Sequence, residues 1–464
     1  EYALYYTLRN EGVMADITDA LTMPLTEYGE EESIIDKLSS EQRAYYGVPV
    51  GDSQTYYGIP HYNGFSGLTY NVDLFEEEGY YFADKPLSSA LEDQFISKYN
   101  TEKNAGPDGK KGTSDDGLPA TYDQFFQLCD FIAANKQIPV LWTGKGNTHY
   151  LAHLGAGLIS DYEGLEQMML NYTLGEQTNN LARNLAKIQN GQLVIDSQPT
   201  AIKSDNGYEL ARQAGKYYAL SFLQRLTTTD RYHNLLAFNT GHSHMNAQED
   251  FLYAGNDGRT ADTAMLVDGC WWESEAKDTF NTMVASKGEE YSKYNRRFAW
   301  MPLPKATSEK VEEAVLADKP YTLFDEISSL CFVKNNIADW KLDLAKEFIR
   351  FAYTDESLRD FTTITNTPKA VDYDMREEDL AKMTPFGRSL MEIKSKSNIV
   401  YPYSTNSKYA NNQEYFGVNN MFRSKIGTME RQWPSSAFHD DKISAEDYFS
   451  GMYNYSKSTW KSLL

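Results

Sequence analysis

The chain has 464 residues, more than one ordinary hydrophobic core accommodates, which predicts two domains. Hydrophobic and aromatic contents of 41% and 14% exclude a disordered chain. The formal net charge of −22, with no clustered Lys or Arg, argues against a nucleic-acid partner.

The opening EYALYYTLRNEG reads as the interior of a helix, so an upstream segment is expected to have been removed. Residues Tyr56–Tyr62 and Phe65–Asn71 read as strands on either side of Asn63-Gly64, and NVDLFEEEGY resumes as a helix. Leu87 to Leu118 is polar, rich in Gly and Asp, and predicts a long loop. An αβ unit follows: Thr121 with Gln124 resembles a capping box, YDQFFQLCDFIAANK is an amphipathic helix, and IPVLW is a buried strand. Helices are expected to dominate from Tyr150 to about Gln224. Then come the AQEDFLYAG helix end, the AMLVDG strand, the RFAWMPLP strand, a strand-rich Leu323–Val333 and an amphipathic helix over Asp343–Tyr353. The last ninety or so residues read as helices and Tyr/Asn-rich loops. Strands alternating with helices predict an α/β fold.

The most informative stretch is AMLVDGCWWE, Ala264–Glu273. A buried strand ends at Asp268-Gly269 and a helix begins, which places Trp271 and Trp272 at the carboxyl end of a strand. Ligands bind there in open α/β sheets. A tryptophan face stacks on sugar C–H groups and its N–H reaches a hydroxyl. The 34 tyrosines point the same way, towards a polar, hydrogen-bonding ligand.

Other chemistry is weaker. The loop NAGPDGKKGTSDD matches a calcium loop in part: counting from Asn104, Asp108, Gly109, the Lys110 carbonyl and Asp115 take positions 5, 6, 7 and 12, but Gly106 at position 3 has no side-chain oxygen. His242 and His244, with His233 nearby, lack an evident third zinc ligand. Asp268, Glu273, Asp325 and Glu326 could serve as paired carboxylates of a hydrolase, yet such pairs arise by chance among 66 acidic residues. No nucleophile elbow, Walker A loop or GxGxxG is present. Cys129, Cys270 and Cys331 lie in apolar contexts and read as buried free thiols, with a Cys270–Cys331 bridge the one conceivable pairing.

The order of segments resembles the extracellular solute-binding proteins of ABC sugar importers (family 1, which includes maltose-binding protein). The likeness rests on YYGIPHYNGFSGLTYNVDLFEEEG, DDGLPATYDQFFQLCDFIAANKQIPV, HMNAQEDFLYAGNDGRTADTAMLVDGCWWE, RFAWMPLP and SSLCFVKNNIADWKLDLAKEFIRFAYTDESLRDFTTITNTPKAV. It departs at the front, where the signal, lipobox cysteine and first βαβ unit of such proteins have no counterpart. The resemblance implies a two-lobe, type II periplasmic-binding fold. One lobe holds 1–64 and 318–370, the other 70–305 and 375–464, with crossovers in 61–70 and 304–322. It implies an oligosaccharide between the lobes, delivery to permease subunits, no catalysis, and an extracellular or periplasmic monomer held to the membrane only by a lipid anchor. Cleft residues implied are Trp271, Trp272, Tyr62, Asn63, Trp142, Asp268, Glu273, His149, Tyr150, Asp325 and Glu326. The Asp-rich loop also resembles calcium-bearing loops of some members, implying a structural Ca2+ at Asn104, Asp108, Lys110, Asp115 and Asp116. A carbohydrate hydrolase and a binder of a peptide or other polar solute remain the competing readings.

Overall fold

The computed structural model describes residues 5–145, 149–176, 180–256, 261–327 and 329–463. Its largest sheet has four strands: β1 (Ser66–Asn71), β2 (Ile138–Leu141), β3 (Thr263–Gly269) and β4 (Phe298–Met301), in the order β4-β1-β3-β2. β3 runs parallel to β2 and antiparallel to β1, which is also antiparallel to β4. All seven residues of β3 are buried. A strand covered on both faces reads as an unbroken apolar run, which is why AMLV stood out.

The unit leading into β2 forms as its sequence dictates. The Thr121 hydroxyl accepts from Gln124 N at 3.3 Å, and the Gln124 side chain accepts from Ala120 N at 2.7 Å. The helix α1 (Tyr122–Ala134) that follows buries Phe125, Phe126, Leu128, Cys129 and Ile132. After β2, helix α2 (His149–Thr173) is interrupted at Gly164, whose φ of 74° only glycine adopts easily.

The expected run of helices from 150 to 224 is corrected by a hairpin. Ala186–Gln189 pairs antiparallel with Gln192–Ile195 around Asn190-Gly191, both with positive φ (51° and 75°). Asn-Gly between short strands is the strongest local hairpin signal, and it outweighs the helical character of its neighbours. The long loop over 87–118 holds a short 3-10 turn at Glu92–Gln94 and isolated bridges at Phe95, Lys103 and between Ser97 and Asn100.

A second group of elements surrounds the helices Asp339–Ala352 and Asp355–Thr365. It includes Ile59–Pro60 paired with Leu330–Cys331, and a nest of tyrosine rings in which Tyr45 stacks on Tyr403 at 4.5 Å. The helix Asp339–Ala352 buries Ile349 and Arg350, while Trp340, Leu344 and Phe348 on another face stay exposed.

Chain segments pass side by side between the two groups. Asn63 N donates to Pro368 O, Glu326 N to Gly64 O, and Asp325 N to Val400 O, at 2.9, 2.9 and 3.0 Å. Two parallel strands, β5 (Tyr321–Phe324) and β6 (Ser397–Val400), lead into this bundle. The passage therefore centres on 61–64, 325–327, 367–371 and 400–404. Residues Ser66–Asn71 belong to the central sheet, and Ser308–Leu316 form a helix before β5. Among the described residues no helix is long and apolar enough to cross a membrane.

Candidate functional site

β2 and β3 are parallel, so their carboxyl ends lie at one edge of the sheet, beside the start of β1. There the chain turns at Gly269. A Cβ at this position would sit 2.2 Å from the Trp271 ring, so the glycine allows the half-buried indole to fold back over the strand end. The Trp271 side chain lies beside the Tyr150 hydroxyl and lowers its pKa slightly against the effect of burial.

From Tyr150 a continuous cluster extends across the edge. Its ring lies nearly parallel to that of His244, with centroids 5.9 Å apart. His149 sits 4.9 Å from the Tyr150 ring, 5.4 Å from His153 and 6.4 Å from Trp433. His153 reaches Asn419 Oδ1 at 3.0 Å through Nε2 and Glu326 Oε2 at 3.1 Å through Nδ1. The other Glu326 oxygen accepts from the Ser66 hydroxyl at 2.6 Å. Behind Trp271, Gln248 Nε2 donates to Asp268 Oδ2 and Glu275 Oε2 at 3.0 and 2.8 Å. Tyr62, half-buried on the passage strand, lies within the fields of Asp325 and Glu275.

The electrostatics follow from burial. It pushes the Asp268 carboxyl up to about 8 despite hydrogen bonds from Gln248 and Gly269. Burial and the neighbouring His153 push His149 down to about 4, leaving it neutral at physiological pH. Burial also opposes a charge on His153, but the Glu326 carboxylate beside it outweighs this and raises its pKa. Burial raises the Tyr150 hydroxyl well above its usual value, and Asp268, Glu275 and Glu326 add to the shift.

Trp271, Tyr62, His149 and Tyr150 thus gather at this edge, with Asp268 and the buried Glu326 beneath them. The other expected cleft residues are corrected to interior positions. Trp272 is fully buried among Phe251, Phe280, Phe298 and Phe386. Trp142 is buried too, its indole donating to Ala237 O at 3.1 Å and its ring beside His233 and Phe238. Asn63 is buried and donates to Asp325 Oδ2 at 2.9 Å, while Asp325 Oδ1 accepts from Gly64 N at 3.1 Å, so this pair locks the passage strands together. Glu273 faces the opposite way and accepts from the Thr384 hydroxyl at 2.8 Å; burial raises its carboxyl to about 7.

His153, His244, Glu275, Asn419 and Trp433 were not anticipated at the edge. His153 follows His149 by four residues on one helix face, a spacing visible in the sequence. Asn419 and Trp433 come from the C-terminal region, and no local signal marks them.

In the loop over 104–116 the Thr113 hydroxyl lies within 3.4 Å of Asp108 Oδ1, the Lys110 carbonyl, Asp115 Oδ1 and Asp116 Oδ1. Asp108 Oδ1 accepts from Lys110 N at 2.7 Å, and Asp115 Oδ2 accepts from Asp108 N and the Tyr321 hydroxyl at 3.0 and 2.6 Å. Asp116 accepts from Gly112 N at 2.8 Å, and Asn104 Oδ1 accepts from Gly106 N and Gly117 N, both at 3.1 Å. The Lys110 carbonyl accepts from the Thr113 hydroxyl at 3.1 Å. These donors belong to the loop itself and to β5. Among the described residues no group of three or more His, Cys, Asp or Glu is arranged to hold a metal. His242 pairs with Asp250 at 2.8 Å, and the three cysteines are free.

No protein-family model matches the chain, and no curated protein matches it in sequence. Solved structures do match in shape. A chitin oligosaccharide binding protein superposes with a TM-score of 0.52 at 14% identity, over 98% of this chain and 81% of its own. A structure described under xylan utilization by Caldanaerobius polysaccharolyticus gives 0.52 at 13%, over 97% and 82%. A solute-binding protein RafE in complex with raffinose gives 0.51 at 13%, over 98% and 82%. The likeness establishes the α/β, two-lobe solute-binding fold.

Proposed function

We propose that this chain is the extracytoplasmic substrate-binding component of an ABC importer, taking up an oligosaccharide between its lobes and passing it to permease subunits. The observation that carries this reading is the contiguous edge of Trp271, Tyr150, His149 and Trp433 against the lobe passage, with Tyr62 and Glu326 on the passage itself. Aromatic faces stack on sugar rings, while the histidines, His153 held in place by Glu326, offer acceptors and donors to hydroxyls. The structures that share the fold include proteins described as binding chitin oligosaccharide and raffinose.

The reading is non-catalytic. Of the four carboxyls open to a hydrolase reading, Asp325 and Glu273 are held inside by Asn63 and Thr384, and Asp268 is buried beneath Gln248. A location outside the cytoplasm, a monomeric state, attachment to the membrane through a lipid and docking on permease subunits belong to the same proposal. So does hinge closure about 61–64, 325–327, 367–371 and 400–404. Calorimetric titration with a panel of oligosaccharides, with the products analysed, tests it. One-to-one binding with the glycan recovered intact is expected; hydrolysis, or binding of peptides in preference to sugars, overturns it.

A further inference from the structure

His61 precedes Tyr62 on the passage, and its half-buried ring lies 5.3 Å from the Tyr62 ring and 5.3 Å from that of Phe361. Phe361 stands one helical turn before Thr365, whose carbonyl accepts from the Ser274 hydroxyl at 2.9 Å, just beyond Trp271. His61 therefore belongs to the wall that meets the Trp271 edge from the other lobe. Lys369 Nζ lies 2.7 Å from His61 Nδ1, and 4.6 and 4.7 Å from the Tyr353 and Phe361 ring centroids. An ammonium has donors and no acceptor, so Nδ1 accepts and the single imidazole proton sits on Nε2. The two aromatic faces favour the charged lysine. Burial brings the Lys369 pKa down to about 8, which leaves it charged at physiological pH, and burial together with Lys369 brings His61 down to about 4. The other titratable groups around the pair, Tyr62, Tyr353 and Cys331, are raised by burial and uncharged.

We propose that His61 is a specificity-determining residue of the cleft, its Nε2–H held as a donor to the glycan, with Lys369 the positioning residue behind it. The inference rests on the sugar-binding reading and deepens it. A histidine free to change tautomer serves a hydroxyl as donor or acceptor. This one offers a donor alone, so it suits an oxygen that carries no proton: a ring or glycosidic oxygen, or an N-acetyl carbonyl. A group that could only donate would leave both partners unpaired there.

Nitrogen-resolved NMR of histidine-labelled protein reads the tautomer without any ligand, the signal being assigned by its loss in His61→Gln. In the free wild type His61 should carry its proton on Nε2 and stay neutral at about pH 6, whereas in Lys369→Met it should take up a second proton near that pH. A wild-type His61 that is doubly protonated at that pH, or protonated on Nδ1 alone, overturns the assignment. Calorimetry with xylotetraose, maltotetraose and N-acetylchitotetraose tests the role. The glycan that binds should do so roughly fivefold more weakly in His61→Leu, with most of the loss recovered in His61→Gln, which keeps an N–H donor. Unchanged affinity in His61→Leu overturns the role of His61 and leaves the sugar-binding reading in place. No binding of any glycan to the wild type overturns that reading, and the role of His61 with it.

Discussion

Trp271 and Trp272 are adjacent in sequence and opposite in role, and replacing each by alanine separates the two. Trp272 is 0% exposed and ringed by four phenylalanines with centroid distances of 5.4 to 6.1 Å. Truncating a buried aromatic of this size costs about 3–5 kcal/mol, because the cavity collapses only partly. For a lobe of this size the melting temperature should drop by on the order of 10 °C. Trp271 is half-buried and its principal polar contact is the Tyr150 hydroxyl. Its removal should cost about 1 kcal/mol of stability for the partly buried packing lost. Glycan affinity should fall by roughly an order of magnitude, since stacking contributes about 0.5–1.5 kcal/mol beyond area burial. Differential scanning fluorimetry reads the first effect and calorimetry the second. If Trp272→Ala melts like the wild type but no longer binds, while Trp271→Ala binds normally, the assignment of wall and core is reversed and the reasoning fails.

Three buried carboxyls should make stability decline from about pH 4 to about pH 8. Asp268, Glu163 and Glu273 keep protons in the folded state to about 8, 7 and 7, whereas their unfolded values are 3.8, 4.5 and 4.5. Their contribution is complete below the unfolded values and lost as pH rises through the folded ones. Asp268→Asn should flatten the melting-temperature profile across that window, and an unchanged slope would refute the burial argument. Millimolar calcium should raise the melting temperature relative to chelator, because Asp108, the Lys110 carbonyl, Asp115 and Asp116 gather within 3.4 Å of the Thr113 hydroxyl; an unchanged melting temperature would refute the calcium reading. Phe348, 66% exposed, should tolerate serine at a cost under about 0.5 kcal/mol, whereas Ile349→Ala should cost about 2–5 kcal/mol. Denaturant titration distinguishes them, and a large loss at Phe348 would mean that its face is covered.

Features set by local chemistry were legible in the sequence. The buried run AMLV, the Thr121 cap and the Asp-Gly stop placed β3, α1 and the edge where the site gathers. What was not legible depended on convergence from afar. Which tryptophan packs and which faces the cleft is decided by Phe298 and Phe386, distant in the chain, closing around Trp272. The same holds for Asp325 and Glu326. The first is drawn inwards by Asn63 and Gly64, and the second is turned to Ser66 and His153. The hairpin at Asn190-Gly191 is a different case, since its turn signal is present in the sequence and prevails over the helical segments around it.

The decisive experiment is a crystal structure with the tightest-binding oligosaccharide. An intact glycan is expected between the lobes, with one ring stacked on Trp271 and hydroxyls within hydrogen-bond distance of the neighbouring histidines. A glycan seated away from Trp271 and Tyr150, or found cleaved, would contradict it.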